Sequence, residues 1–237
     1  MLPSNNKIKK RRKLLKNSKW EIGASARNTL ALFDCIREFD LFEINLNILR
    51  EIEFKELVCT ILDFGTKPYS VHCRYETFAQ ALADIELSKG LNPELLVVHL
   101  PYPQNEFDFR MQIDTLGEAA IKNEIIICIE NLADMEERTK QTRSKNPEEI
   151  AAYLDVLNNP NLGLCLDVGH AIKNDFTNWD SALIKKWLKH IHYHSTVKGY
   201  DLHLPVTNDS PSVLKDTFLN YCLKQHIRGL LFVKISK

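Results

Sequence analysis

Residues 124–130 read EIIICIE: five consecutive apolar residues between two glutamates. So short a run, rich in β-branched isoleucine, predicts a strand buried on both faces, as in parallel sheets. It ends in Glu130, a carboxylate placed where the chain would leave the sheet. The pattern recurs on both sides. LLVVHL (95–100) carries His99 near its end, and LGLCLD (162–167) ends in Asp167. Further out lie YSVHCR (69–74) with His72, HIHYHS (190–195) with three histidines, LFEINL (41–46), a first strand at 20–24, and GLLFVKI (229–235) as an eighth.

Helical patterns fill the intervals, over residues 28–38, 51–62, 76–89, 107–122, 179–188 and 210–224, together with a helix that opens at Pro147. Asn146 suits the cap of that helix, and Glu148 and Glu149 complement its positive end. Ile150, Tyr153, Leu154 and Leu157 then share one face. Eight strands in regular alternation with helices predict an α/β protein, a single (β/α)8 barrel. No Gly-rich phosphate loop follows the first strand, which argues against a dinucleotide fold. The sequence stops after the eighth strand, so the last helix is expected to be missing. The gap is expected to be covered either by the basic segment or by a partner chain, as in a homo-oligomer. The expected division is a basic segment at 1–19 and one barrel domain at 20–237.

The 237 residues carry 31 basic and 31 acidic side chains, so no whole-protein field attracts nucleic acid or membrane. Positive charge is local, in KIKKRRKLLKNSK (7–19) and in the loop after Glu130, which holds Arg138, Lys140, Arg143 and Lys145. Each suits a solvated segment; the N-terminal run also suits an anchor for phosphate or nucleic acid, and the loop a lid over a phosphate group. Six dispersed cysteines without a CxxC pair predict free thiols and a cytoplasmic protein, and no apolar stretch is long enough for a membrane span. Cys128 and Cys165 are expected in the barrel interior as small core residues, with soft metal ligation as the lesser alternative.

Polar residues gather at the C-terminal ends of the strands, where barrel enzymes build their sites. His72, His99, Glu130 and Asp167 end apolar runs, and His170 lies just beyond the sixth. Strand alternation puts His190, His192 and His194 on one face. Asp201 and His203 follow in the next loop. Burying so many ionisable groups at one rim costs several kcal/mol each unless they are partnered. A shared divalent cation removes that cost, since imidazole and carboxylate are its natural ligands. Zinc or manganese is the expected ion, with magnesium or cobalt as further choices.

The motifs VVHLPYP, IIICIENL, LGLCLDVGHA and HIHYHSTVKGYDLHLP, in this order, resemble the xylose isomerase-like barrels. That group includes sugar and sugar-phosphate isomerases and epimerases and the endonuclease IV group. The resemblance implies three metal positions: His72, His99 and Glu130; Glu130, Asp167 and His192; and His170, Asp201 and His203. Asn131 and His194 are expected to contact substrate, and an end-of-strand turn suits Asn131 equally. Isomerases of the group use the central position with a glutamate on the eighth strand. Here Lys234 stands in that place, and Ser195 replaces a usual aspartate. An ammonium cannot ligate a metal, so Lys234 is expected to face Glu130 and Asp167 and to pair with them or act as an acid beside Glu130.

Three functions follow from the resemblance. The first is a metal-dependent sugar or sugar-phosphate isomerase or epimerase, with Glu130 and Lys234 as the proton-transferring pair. The second is an endonuclease IV-like phosphodiester hydrolase acting on abasic DNA. The third is a binding or regulatory barrel that has lost catalysis, with Lys234 and the expected absence of the final helix as its marks. The neutral charge favours a small-molecule sugar over nucleic acid as partner.

Overall fold

The computed structural model describes residues 21–26, 28–39, 41–74, 76–100, 105–133, 143–179, 181–194 and 230–234. The strands are β1 (Glu21–Ala26), β2 (Phe42–Asn45), β3 (Ser70–His72), β4 (Leu95–Val98), β5 (Ile126–Glu130), β6 (Leu162–Asp167), β7 (Leu188–Tyr193) and β8 (Leu230–Lys234). All neighbours pair in parallel, and β8 closes on β1, giving the expected closed eight-stranded barrel. The described helices are α1 (Thr29–Glu38), α2 (Phe54–Asp63), α3 (Phe78–Ser88), α4 (Glu106–Lys122), α5 (Pro147–Leu157), α6 (Val168–Lys173) and α7 (Ala182–Trp187). The basic segment, the helix expected over 210–224 and the end of the chain lie outside the described residues.

Side-chain caps set most helix starts. Asn28, Thr77, Asn105 and Asn146 each accept a hydrogen bond from a backbone N–H of the first turn, and Pro147 opens α5 as expected. The face expected for α5 is partly corrected: Ile150 and Leu154 are buried together with Ala151, whereas Leu157 is 39% exposed. The helix expected over 179–188 is shorter. The Glu148 carboxylate accepts from Asn178 Nδ2 and Ser181 Oγ, holding a turn there, so helix starts only at Ala182. Among the described residues, no helix is long and apolar enough to cross a membrane.

Period-two alternation divides strands β2 to β7 between two environments. Ile44, Val71, Leu96, Val98, Ile127, Ile129, Leu164, Leu166 and Ile191 are buried in the large core shared with the helices. The intervening residues face the barrel axis. There Leu95, Val97, Cys128 and Cys165 form a second, small apolar cluster with Tyr69 and Ile126 packed on it. Cys128 and Cys165 are thus core residues, as expected. Burial pushes the Cys128 thiol up to about 12 and the Cys165 thiol higher still, so neither offers a ready thiolate. Above this plug the interior becomes polar.

Candidate functional site

Glu130 ends β5 with no exposure to solvent, and three imidazoles converge on its Oε2. His72 Nε2 and His99 Nε2 are each 3.0 Å away, and His192 Nδ1 is 3.1 Å away. They come from β3, the end of β4, and β7, so the convergence is a product of closure. His72 is oriented by the Cys73 carbonyl, 2.9 Å from its Nδ1. Strand β3 is held at this end by Arg74, whose backbone N–H and guanidinium both donate to buried Asp84 on α3.

A second group lies beside the first. His194 Nε2 is 2.9 Å from Asp167 Oδ1, and His170 Nδ1 is 3.7 Å from Asp167 Oδ2. Asp167 has two tasks, because its Oδ1 also accepts the His170 backbone N–H and so caps α6. Asn131 joins the two strand ends: its Nδ2 donates to the Asp167 carbonyl, and its Oδ1 accepts from the Asp167 N–H. The Asn131 carbonyl in turn lies 2.8 Å from His170 Nδ1.

The sequence-predicted residues His72, His99, Glu130, Asp167, His170, His192 and His194 are therefore brought together. Asp201 and His203, expected beside His170, lie outside the described residues, as does Ser195. Among the described residues the donor atoms of His72, Glu130 and His192 lie within 4.8 Å of one another, and so do those of Asp167, His170 and His194. His194, expected as a substrate contact, stands within that second donor group. Asn131, expected in the same role, has both ends of its amide engaged with Asp167. Lys234 is placed only by its backbone, in register with Ser25 of β1.

One residue escaped the sequence reading. Glu43 of β2 is fully buried, and its Oε2 accepts from Ser70 Oγ at 2.9 Å and lies 3.1 Å from His192 Nε2 and 3.2 Å from His190 Nε2. The signal was the alternation in FEIN: Phe42 and Ile44 take the helix side, leaving Glu43 and Asn45 for the axis.

The electrostatics follow from burial in this ring of charge. Burial raises the Glu43 carboxyl, but His192 and His190 overcome it and hold the group well below the usual carboxylate range. Burial pushes His99 down to about 4 despite Glu130, so it is neutral at neutral pH. Burial lowers His190 as well. Burial also opposes charge on His192, but the Glu130 and Glu43 carboxylates outweigh it and hold the ring well above its ordinary value.

The donor set fits a divalent ion. His192 Nδ1 faces the Glu130 carboxylate at 3.1 Å without a well-aligned hydrogen bond among the described residues. Two lone pairs so close repel unless a proton or a cation lies between them. His72, His99, Glu130 and His192 would hold one ion, with Asp167 beside it, and Asp167, His170 and His194 a second.

Residues 57–216, more than half of the chain, match the family described as xylose isomerase-like TIM barrel. The chain belongs to this family. No curated protein matches it in sequence. Solved structures of similar fold include a D-tagatose 3-epimerase-like protein, at 18% identity and a TM-score of 0.67, covering 90% of each chain. A D-allulose 3-epimerase from Methylomonas sp., in complex with D-allulose, is 16% identical with a TM-score of 0.68, covering 93% of this chain and 85% of that one. The 3-keto-D-glucoside 4-epimerase YcjR from E. coli is 15% identical with a TM-score of 0.64, covering 92% and 93%. At these identities the likeness establishes the fold. The xylose isomerase-like barrel here carries its polar groups at the strand ends, as the family motifs imply.

Proposed function

We propose that this xylose isomerase-like protein is a divalent-metal-dependent sugar or sugar-phosphate isomerase or epimerase. The observation that carries the reading is the placement of His192 Nδ1, 3.1 Å from Glu130 and 3.9 Å from Asp167. These three residues are the ones that the family resemblance assigns to a metal bound by isomerases. A bound divalent ion supplies charge to neighbouring substrate oxygens and stabilises the anion formed when a carbon beside a carbonyl loses its proton. Glu130 takes that proton, and Lys234, where the family has glutamate, returns one from the β8 side. Asn131 keeps the β5 and β6 ends in register so that Glu130 and Asp167 face one volume. The fold likeness to ketose epimerases supports free ketoses and their phosphates as the substrate class.

A second reading has its own support. His72 and His99 both meet Glu130, the trio that the resemblance assigns to a phosphodiester-cleaving site. The two readings separate by assay. Protein reconstituted with zinc or manganese is expected to interconvert ketose epimers or their phosphates and to leave abasic duplex DNA intact. Cleavage of that DNA with no sugar turnover would establish the second reading. Metal uptake with neither activity would point to a barrel that binds without catalysis. Failure to take up any ion would refute the metal-dependent readings together.

A further inference from the structure

Beneath the rim, one carboxylate oxygen meets polar atoms of three different residues. Glu43 Oε2 is 2.9 Å from Ser70 Oγ, 3.1 Å from His192 Nε2 and 3.2 Å from His190 Nε2. Glu43, Ser70, His190 and His192 are all completely buried. Glu43 pairs in register with Ser70, so the hydroxyl clamps the carboxylate from the adjacent strand. A carboxylate can only accept, and an imidazole nitrogen beside it must therefore carry the hydrogen. That requirement leaves the lone pair of a neutral His192 on Nδ1, the atom that faces Glu130 and Asp167.

We propose that Glu43 is a positioning residue, holding His192 with its proton on Nε2 so that Nδ1 is presented to a cation at the rim. The value of the arrangement for metal binding rests on the reading under Proposed function; the proton placement does not. Histidine ligands characteristically donate their second ring nitrogen to a carboxylate, which fixes both tautomer and ring angle. Here the carboxylate comes from β2, across the barrel from β7, so a metal ligand is oriented by a strand that supplies no ligand of its own among the described residues. Ser70 and His190 then serve to keep Glu43 in place. His190 Nε2 shares the same acceptor, which limits how far the carboxylate can rotate away from His192.

Two measurements test this. The first uses metal-free protein labelled with nitrogen-15 histidine, in which two-bond proton–nitrogen correlations locate the ring protons. A hydrogen-bonded proton on His192 Nε2 is expected, whether Nδ1 is bare or, in the charged ring, carries the proton that a cation would displace. A bare Nε2 with the proton on Nδ1 would overturn the proposal, whatever the protein's activity. The second is titration with Co2+ followed by its absorption spectrum. Glu43→Gln is expected to bind Co2+ about 10- to 100-fold more weakly, the usual effect of losing such a partner, with a changed pH dependence of binding. Ser70→Ala, a milder change, is expected to shift affinity in the same direction by less. A folded Glu43→Gln protein with wild-type Co2+ affinity and an unchanged His192 correlation would overturn the proposal. Wild-type protein that takes up no Co2+ would refute the metal reading, and the proton placement would then be decided by the first measurement.

Discussion

Gly169 lies directly beneath the imidazole of His194: a Cβ built on it would sit 1.9 Å from Cε1 and 2.3 Å from Nε2 of that ring. No side chain can occupy this space while His194 reaches Asp167 Oδ1 at 2.9 Å. The glycine in LDVGHA is thus required by the approach of a neighbouring strand's histidine to the start of α6. Gly169→Ala is expected to push His194 off Asp167 and to cost about 1–3 kcal/mol of stability through overpacking. Urea denaturation checks the cost, and the His194 ring signals check the displacement. An unchanged stability with unchanged signals would show that the ring has room to yield.

Glu130 Oε2 is the atom on which His72, His99 and His192 converge, so its charge is the centre of the first donor group. Glu130→Gln preserves shape and removes that charge. Affinity for zinc or manganese is expected to fall by more than about 100-fold, beyond the loss from an outer partner, with sugar turnover abolished. Competitive chelation measures the affinity, and circular dichroism checks the fold.

Arg74 and Asp84 make a multiply bonded pair, with Asp84 fully buried and the Arg74 side chain 25% exposed. The pair fastens the end of β3, and with it His72, to α3. Asp84→Ala strands the guanidinium and frees the Arg74 backbone N–H, so a loss of about 3 kcal/mol is expected from the broken buried pair. Denaturant unfolding tests the value. A parallel loss of metal affinity would show that the strand end positions His72.

His99 titrates near 4 in the folded protein, because burial outweighs the attraction of Glu130, against 6.5 for the unperturbed ring. Between these values the unfolded chain binds a proton that the folded chain refuses. Stability of the metal-free protein therefore falls as pH drops from 6.5 to 4, and the contribution levels off below that. His99→Gln is expected to flatten this part of the profile. Identical pH profiles for the two proteins would place the sensitivity elsewhere.

Lys234 stands on β8 where the resemblance expects a metal-binding glutamate, in backbone register with Ser25. Lys234→Glu replaces a repelling charge by a ligand type, and metal affinity is expected to rise. Metal content after dialysis against limiting zinc measures it. No change would separate Lys234 from the central position.

Local pattern determined the strands, their order and most of the rim. EIIICIE, LGLCLD and HIHYHS announce their own conformation, because alternation and apolar runs are properties of neighbouring residues in the chain. The capped start of α5 was legible for the same reason. Only closure of the barrel decided that His72, His99 and His192 share one oxygen of Glu130, and that His194 joins Asp167 and His170. Glu43 shows the difference most plainly. In the sequence it is one acidic residue inside a short strand, 149 positions from the histidine it orients. Its partner comes within reach only because β1 and β8 close the cylinder between β2 and β7. The cost of burying an unpartnered carboxylate then makes the contact obligatory.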